Sequence, residues 1–264
     1  MTHAWDPSTY LAYADERGRP FLDLLARVHA SEPQRVVDLG CGPGTLTGLL
    51  ARRWPGAEVV GVDSSAEMVA AAEGAAERAA GVRYVAGDLR SWRPDGPVDV
   101  LVTNATLQWV PGHLDLLPDL LGHVAPGGWF ALQVPGNFGE PSHTRRHELE
   151  ADPRFAPHLS GVEGPRAHDP EVYLERLLAL GCSVDVWETT YLHLLTGSDA
   201  VFHWAVGTGA RPTLQALPGE LRHEFEDEFR RALRSAYPPG EHGTVLPFRR
   251  VFAVAQKAPG RHPA

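Results

Sequence analysis

An acid and three alternating glycines follow an apolar run near the beginning of the chain. The run ends at Asp38, and Gly40, Gly42 and Gly44 come directly after it. Glycine allows the backbone to turn sharply after a strand, and it allows a ligand to lie against bare main chain. A dinucleotide-binding turn needs its third glycine where Thr45 stands, so the sequence disfavours a nicotinamide-linked oxidoreductase.

The turn resembles that of class I S-adenosylmethionine (AdoMet) methyltransferases, which lies along the methionine end of the cofactor. Three further strand ends carry suitable groups. The second predicted strand ends at Asp63, whose carboxylate can accept hydrogen bonds from both ribose hydroxyls. In the resembled family, an acid at the position of Asp88 binds the adenine amino group, and Asn104 begins the segment beside the reacting carbon. Each residue alone could be a turn glycine or a helix cap, but their joint placement predicts a cofactor site.

The predicted AdoMet site lies at these strand ends. Its residues are Asp38, Gly40, Cys41, Gly42, Gly44, Asp63, Ser64, Met68, Asp88, Leu89, Asn104, Gln108 and Trp109. We expect Asp38 to orient the turn, and Cys41 to contribute main chain, because a cysteine here behaves as a small apolar side chain. Ser64 and Glu67 have the spacing of a capping box that opens a helix from Ala66 to Ala80.

Strand-like and helical patterns alternate from Val36 to Pro135, which favours a parallel sheet with helices on both faces. The fifth predicted strand, Trp129–Val134, is entered through a Pro-Gly-Gly turn. A sixth strand, Ser183–His193, and a last strand, Phe248–Ala255, resemble the antiparallel final hairpin of class I methyltransferases. We therefore expect an α/β, Rossmann-like class I methyltransferase fold, with a mostly parallel seven-stranded sheet and a helical cap built from two late inserts.

The expected segments follow from this pattern. They are an N-terminal arm and helix (1–30), the AdoMet-binding core (31–135), a first insert (136–168), a core helix and the sixth strand (169–195), a second insert (196–244), the final antiparallel strand (245–256) and a flexible tail (257–264). Apolar residues at helical spacing predict buried helix faces in three segments. They are Phe21, Leu24, Leu25 and Val28 on a helix Phe21–Val28; Val172, Leu174, Leu177 and Leu178; and Leu221, Phe225, Phe229 and Leu233.

Composition restricts the class of protein. A chain of 264 residues with 43% hydrophobic content can bury one large core, or a core and a cap. The formal charge of −9 and a pI of about 5.8 disfavour a nucleic-acid groove or an anionic membrane surface. Two cysteines, no charged-then-apolar leader and no long apolar run favour a soluble cytoplasmic protein without a disulfide framework. We expect no nucleic-acid or membrane partner, and we favour a monomer.

Pieces spread over nearly the whole chain resemble the trans-aconitate 2-methyltransferase family more closely than class I enzymes in general. They are Trp5-x-Pro7-x-x-Tyr10-Leu11, Arg17-x-Arg19-Pro20, Val36–Gly44, Ala105–Trp109, Pro135–His143, Gly181–His193 and Phe248–Ala255. The Pro-Gly-Asn-Phe piece, the Trp-x-Thr-Thr-Tyr-x-His piece and the C-terminal arginine piece narrow the resemblance to this family. The segment His147–His168 matches poorly.

The resemblance implies methyl transfer from AdoMet to one carboxylate of trans-aconitate. The products would be a monomethyl ester and S-adenosylhomocysteine, and the partner would be a small tricarboxylate. An ordinary carboxyl group titrates at about pH 4, so this nucleophile forms without a general base. The enzyme must hold the oxygen in line with the sulfonium methyl group, and desolvation in a closed site helps. We expect no catalytic acid–base residue.

The two non-reacting carboxylates of trans-aconitate require hydrogen-bond donors and arginine side chains, whose guanidinium groups bind a carboxylate through two hydrogen bonds. The candidates are Arg19, Asn137, His143, Tyr191, His193, Arg211 and Arg250, beside Gln108 and Trp109 of the cofactor site. Arg249 and Arg250 alternate faces on a strand, so at most one is expected to face the site, and Arg250 better fits the family pattern. Arg249 or Arg250 could equally be a surface ion-pair partner, and Arg211 could be a solvated loop arginine. His143 and His193 could be structural histidines. The histidines lack metal-ligand spacing, and we expect no metal.

Two other functions stay open. A class I methyltransferase could act on another small carboxylate or on a natural-product hydroxyl. A hydroxyl acceptor would need a base near the fourth strand's end, and Asn104–Trp109 offers none. A non-catalytic AdoMet-binding module is the second alternative, and AdoMet binding without turnover of any acid would favour it.

Overall fold

The computed structural model describes residues 14–75 and 81–260. The first part of the predicted N-terminal arm, the end of the predicted helix Ala66–Ala80 and the last four residues lie outside this description. The backbone divides into two compact units. The first unit contains the chain up to Val134, His168–Glu188 and the chain from Val251 onward, and the second contains Pro135–Ala167 and Thr189–Arg250.

The strands form one seven-stranded sheet in the order β3-β2-β1-β4-β5-β7-β6. They are β1 (Arg35–Leu39), β2 (Glu58–Asp63), β3 (Val82–Ala86), β4 (Val98–Asn104), β5 (Val124–Pro135), β6 (Cys182–Leu195) and β7 (Thr244–Lys257). Neighbours among β1 to β5 pair in parallel, and the interior strand β1 is buried along Val36–Leu39. A strand buried on both faces has a near-continuous apolar sequence, and β1 follows this pattern except at Asp38. The predicted α/β fold with a mostly parallel seven-stranded sheet is confirmed.

The helices connect these strands and fill the late inserts. They are α1 (Ala14–Ala26), α2 (Thr47–Arg53), α3 (Ala66–Gly74), α4 (Leu117–His123), α5 (Pro141–Glu150), α6 (Pro170–Ala179), α7 (Ala200–Val206), α8 (Arg211–Ala216) and α9 (Gly219–Ala236). Short 3₁₀ turns occur at Leu107–Trp109, His113–Leu116 and Ala156–His158. Strand β4 ends at Asn104, and the chain turns immediately. The 3₁₀ turn at Leu107–Trp109 is therefore held next to a rigid strand end.

Several helix boundaries differ from the prediction. Helix α1 includes Ala14–Ala26 and contains Pro20, whereas the sequence predicts a helix over Phe21–Val28. The N-cap of α3 is Ser65 and not Ser64, since the Ser65 hydroxyl accepts from the Met68 amide at 3.2 Å. This helix ends at Gly74, and Ala75 is extended, so the predicted continuation is wrong at that point.

The strands and α6 also depart from the prediction. The Pro-Gly-Gly segment at 126–128 lies inside β5, where Gly127 is left-handed and the pairing with β4 shifts register. Such a shift marks a β-bulge, which lets a strand continue through a local irregularity. On α6, Leu178 is 52% exposed and Tyr173 is fully buried instead. The Tyr173 hydroxyl lies 2.8 Å from His113 Nε2, and this hydrogen bond makes its burial tolerable.

Aromatic side chains fill the core of the second unit. Phe225 and Phe229 of α9 are fully buried, and the Phe225 ring meets Phe155 edge-to-face at 5.2 Å. Phe229 contacts Phe202 in the same arrangement at 6.0 Å. Edge-to-face pairs add to the stabilisation from burial, so α9 anchors the second unit.

We predict that Phe225→Ala lowers the free energy of unfolding by about 3 to 5 kcal/mol, because it leaves a cavity in this aromatic core. Urea unfolding followed by circular dichroism measures the loss. His223→Ala, at an exposed position of the same helix, is the control and should change stability by less than about 0.5 kcal/mol. A loss below about 1 kcal/mol for Phe225→Ala would contradict this view of the core.

Candidate active site

The three glycines of the turn after β1 have different roles. Gly40, Gly42 and Gly44 all have left-handed backbones, with φ of 82°, 56° and 78°. A side chain at Gly40 would collide with Thr106, and one at Gly44 would collide with Tyr84. A side chain at Gly42 would meet no atom within 4 Å. The bare main chain that a ligand can approach is therefore at Gly42, while the other two glycines allow close packing of the turn.

Hydrogen bonds from neighbouring strands fix the turn. The Tyr84 hydroxyl of β3 donates to the Gly44 carbonyl at 3.2 Å, and the Thr106 hydroxyl lies 3.4 Å from the Gly40 carbonyl. The amide of Gly40 donates to the Val62 carbonyl of β2 at 2.7 Å. Sequence reasoning missed Tyr84 and Thr106. The pairing of β2 with β3 places Tyr84 opposite Gly61. A side chain at Gly61 would also collide with the tyrosine ring, so a glycine at this position is a signal for Tyr84.

Asp63 connects the turn to the end of β2. One carboxylate oxygen accepts from the Gly42 amide at 2.9 Å, and the other accepts from the Ser65 amide at 2.9 Å. Each carboxylate oxygen has a second lone pair. Asp63 can therefore hold the glycine turn and still accept hydrogen bonds from ribose hydroxyls.

Asp38 is buried in the first unit. Its carboxylate is 3% exposed and accepts a hydrogen bond from the Thr47 hydroxyl at 2.7 Å. Burial raises the pKa of Asp38 from 3.8 to about 7; the Thr47 hydrogen bond opposes this shift, and the charge of Asp63 adds to it. Asp38 thus joins β1 to the beginning of α2, which agrees with the expected orienting role. Direct contact between Asp38 and a cofactor stays a prediction.

The remaining predicted cofactor residues on the first two strand ends are mostly enclosed. The Cys41 side chain is buried, and burial together with the charge of Asp38 raises the pKa of its thiol, which therefore stays protonated. Met68 is buried on α3, and Ser64 is exposed in the preceding turn. These placements favour a contribution from Cys41 through its main chain.

Asp88 is half-buried after β3 and forms an ion pair with Arg90. Both carboxylate oxygens lie 3.0 Å from Arg90 Nε, and this hydrogen bonding lowers the pKa of Asp88. Leu89 is buried beside it. Arg90 was not among the predicted residues, since an arginine in an exposed loop carries no distinctive signal. Asp88 is therefore ionised and able to accept from an adenine amino group.

The end of β4 carries buried acceptors without partners. Asn104 Oδ1 and Gln108 Oε1 are buried and have no hydrogen-bond partner within the described residues. The Gln108 amide nitrogen donates to the Ala105 carbonyl at 2.6 Å, so its oxygen is directed elsewhere. Ala105 is left-handed, with φ of 54°, a strained conformation that is common at functional sites. Trp109 is half-buried, and its amide donates to the Thr106 carbonyl at 3.0 Å.

These groups fit the methionine end of AdoMet. An unpartnered buried acceptor costs about 1 to 3 kcal/mol, so two at one strand end require an explanation other than stability. The ammonium group of AdoMet presents only donors, which complement the oxygens of Asn104 and Gln108. The open main chain at Gly42 and the carboxylate of Asp63 provide the adjoining surface.

Four of the predicted substrate residues lie in the second unit. Tyr191 and His193 are buried with parallel rings at 6.4 Å, and His193 stacks on Trp204 at 4.8 Å. The His143 ring lies 4.9 Å from that of Phe138, and Asn137 is buried. Burial, with the charge of Arg146, lowers the pKa of His143 to about 3, so this histidine is neutral.

The predicted arginines differ in burial. Arg250 is buried, with its guanidinium 4.6 Å above the Phe248 ring, whereas Arg249 is half-buried and donates to the Gly136 carbonyl at 3.1 Å. The two therefore point to opposite faces of β7, as expected. Arg211 begins α8 and is half-buried, and Arg19 is exposed on α1 of the first unit. That these residues bind the substrate stays a prediction.

The second unit also buries Arg146, a residue that sequence reasoning missed. Arg146 lies on α5 and is 2% exposed. It precedes the segment that matches the resembled family poorly, and arginine is frequent throughout this chain. Composition and spacing gave no signal for it.

In 14–75 and 81–260, no group of three or more His, Cys, Asp or Glu side chains is placed to hold a metal ion. The helices in this part of the chain are too short or too polar to cross a membrane.

Comparisons with known proteins identify the family of the chain. A family model described as a methyltransferase domain matches residues 36–128. A relative from Streptomyces avermitilis, named trans-aconitate 2-methyltransferase, is 53% identical and aligns over 96% of this chain and 97% of the relative. A protein of the same name from Mycobacterium tuberculosis is 48% identical over 96% of each chain.

A solved structure shows the fold alone. Phosphoethanolamine N-methyltransferase 2 of Haemonchus contortus, in complex with S-adenosyl-L-methionine, superposes with a TM-score of 0.55 at 17% identity. The match covers 91% of this chain and 52% of that one.

The seven-stranded sheet and the groups at its strand ends define a class I methyltransferase, an enzyme whose methyl donor is AdoMet. Within this class, the chain belongs to the trans-aconitate 2-methyltransferase family. The predicted family, enzyme class and cofactor are confirmed, and the individual binding residues stay predictions.

We predict that Gly42→Ala weakens AdoMet binding at least about tenfold at a small cost in stability, because its methyl group enters the open space over the turn. The left-handed backbone accounts for a cost of about 1 to 2 kcal/mol. Gly40→Ala is the comparison, and its collision with Thr106 should lower stability further. AdoMet titration and urea unfolding separate the two effects. An unchanged AdoMet dissociation constant in Gly42→Ala would contradict the assignment of this surface.

We predict that Asp38→Asn changes the pH dependence of stability. Between pH 4 and 7 the folded protein keeps a proton on Asp38 that the unfolded chain has lost, so the contribution of Asp38 to stability falls as pH rises and levels off above about pH 7, whereas the lowered pKa of His143 contributes with the opposite sign. The full change is at most about 4 kcal/mol. Asp38→Asn should lack this decline, whereas Asp95→Asn, at an exposed position, should follow the wild-type curve. Parallel curves for wild type and Asp38→Asn would contradict the shifted pKa.

Proposed function

We propose that this enzyme transfers the methyl group of AdoMet to one carboxylate of trans-aconitate. The products are a monomethyl ester and S-adenosylhomocysteine. The observation that carries the proposal is the near full-length similarity to relatives named for this substrate, at 48 to 53% identity. The buried acceptors at the end of β4 support the assignment of the cofactor site.

Residues of the first unit hold and orient the methyl donor in this proposal. AdoMet, when bound, supplies an electrophilic methyl group on a sulfonium sulfur. Asp63 would accept from the ribose hydroxyls, Asp88 would accept from the adenine amino group, and the main chain of Leu89 would contact the adenine ring. Asn104 and Gln108 would accept from the ammonium group, which would satisfy their otherwise unpartnered oxygens. The main chain at Gly42 provides the close surface.

The acceptor needs no general base. A carboxylate is ionised well below neutral pH, so its oxygen already carries the attacking lone pair. The segment Asn104–Trp109 contains no ionisable side chain, and His143 is neutral at pH 7. Catalysis then depends on placing the oxygen and on excluding water from it.

Cations of the second unit bind the non-reacting carboxylates in this proposal. Arg250 is buried, and a guanidinium binds a carboxylate through two parallel hydrogen bonds. Asn137, Tyr191, His193 and Arg211 supply further donors or walls, and Arg19 of the first unit is an additional candidate. The attacking carboxylate must stay less tightly paired than the others, because strong pairing lowers its nucleophilicity.

We also propose that the enzyme is a cytoplasmic monomer without nucleic-acid or membrane partners. A formal charge of −9 disfavours binding to polyanions. Both thiols, Cys41 and Cys182, are unoxidised and buried, which suits a reducing compartment.

Methyl transfer from labelled AdoMet tests the function. Acceptors are trans-aconitate, cis-aconitate, citrate, isocitrate and a phenol. Saturable labelling strongest on trans-aconitate, giving a base-labile ester, is the expected result. Stronger labelling of another acid would identify that acid as the substrate and would leave carboxylate methylation as the reaction. Labelling of the phenol alone would contradict carboxylate methylation. Tight AdoMet binding with no transfer to any acceptor would favour a binding-only module.

A further inference from the structure

One face of helix α5 carries polar groups that the proposed function leaves unused. Ser142, Arg146 and Glu150 recur every fourth residue, so they line the same side of the helix. Ser142 and Arg146 are buried, and His143 lies beside them on the same turn. All of these residues belong to the second unit.

The guanidinium of Arg146 is only partly satisfied. Its Nη1 donates to the Gly209 carbonyl at 2.5 Å and lies 3.4 Å from the Glu150 carboxylate, and its Nη2 lies 2.9 Å from His147 Nε2. Its Nε is buried and has no hydrogen-bond partner in the described part of the chain. Nε and Nη2 form one edge of the planar fork that binds a carboxylate. This edge therefore has an unused donor on a buried cation.

Two more atoms of α5 share this property. The Ser142 hydroxyl oxygen and His143 Nδ1 are buried and unpartnered among the described residues. His143 and Arg146 both border Gly209, because a side chain at Gly209 would lie 3.1 Å from His143 Cε1. Ser142 Oγ, His143 Nδ1 and Arg146 Nε can all donate, and an ionised carboxylate only accepts.

A structural role explains only half of this arrangement. Arg146 joins α5 to the segment before α8 through Nη1, and Glu150, which also accepts from Thr213, balances its charge on that side. That role leaves Nε unpaired, and an unpaired buried donor on a charged group costs more than a neutral one. A ligand carboxylate would remove this cost.

We infer that this face of α5 is a carboxylate-binding subsite, in which Arg146 Nε, the Ser142 hydroxyl and His143 bind one non-reacting carboxylate of the substrate. The inference rests on the proposed function, because a substrate with several carboxylates is what such a subsite would serve. Arg146 and Ser142 would then determine specificity for a tricarboxylate.

Removing one carboxylate at a time from the ligand tests this subsite. Mesaconate, itaconate and trans-glutaconate each keep two of the three carboxylates of trans-aconitate, and each lacks a different one. Dissociation constants for the four acids are measured by ligand-observed NMR in the presence of S-adenosylhomocysteine, with wild type and Arg146→Lys, which keeps the charge and loses the planar guanidinium. We expect Arg146→Lys to weaken trans-aconitate and two dicarboxylates about thirtyfold. The dicarboxylate that lacks the bound carboxylate should change less than about twofold.

Two further variants complete the experiment. Arg145→Lys alters an exposed arginine of the same helix, paired with Glu148, and should leave all four constants unchanged. Ser142→Ala is a smaller change that serves if Arg146→Lys does not fold. It should weaken the same three ligands about fivefold, as expected for loss of one neutral hydrogen bond.

The outcomes separate this inference from the proposed function. Equal weakening of all four acids, or no weakening, overturns the subsite and leaves the function intact. Wild type that neither binds nor methylates trans-aconitate overturns both. Selective weakening that depends on which carboxylate the acid lacks supports the subsite, since a purely structural residue would not distinguish the ligands.

Discussion

The close packing of Thr106 and Tyr84 against two left-handed glycines is the constraint on which the first unit depends. Gly40 and Gly44 have no room for a side chain, so the ends of β3 and β4 can press the turn after β1 into one conformation. That conformation leaves Gly42 open and directs its amide to Asp63. Side chains of Tyr84, Thr106 and Asp63 thereby hold the main chain of the turn, and a ligand can approach Gly42 without moving it.

The sequence predicts this region well because each of its signals is local. An apolar strand followed by glycines or an acid needs only neighbouring residues to be recognised, and parallel strands then bring the ends together. Helix caps and buried helix faces are harder to predict when two nearby residues both fit the pattern. Ser64 and Ser65 both qualify as an N-cap, and only the folded geometry selects Ser65. Periodicity favours Leu178 as a buried residue, yet Tyr173 is buried because His113 provides a hydrogen bond.

The second unit could not be predicted to the same depth. Its buried groups are defined by residues far apart in the chain, as when Arg146 donates to the carbonyl of Gly209. Arginine is so frequent in this sequence that one arginine among many has no distinguishing pattern. Unpartnered atoms, such as Arg146 Nε and Gln108 Oε1, are visible only when every neighbour has been placed. Such atoms are nevertheless the most specific indications of where ligands bind, because stability alone selects against them.

The central claim is that an ionised carboxylate attacks without help from an enzyme base. The most direct test is the pH dependence of kcat at saturating AdoMet and trans-aconitate. The account predicts a constant kcat from about pH 6 to 9, because the acceptor is ionised throughout this range. A kcat that rises about tenfold per pH unit within it would reveal a base that must lose a proton before transfer, and would contradict the account.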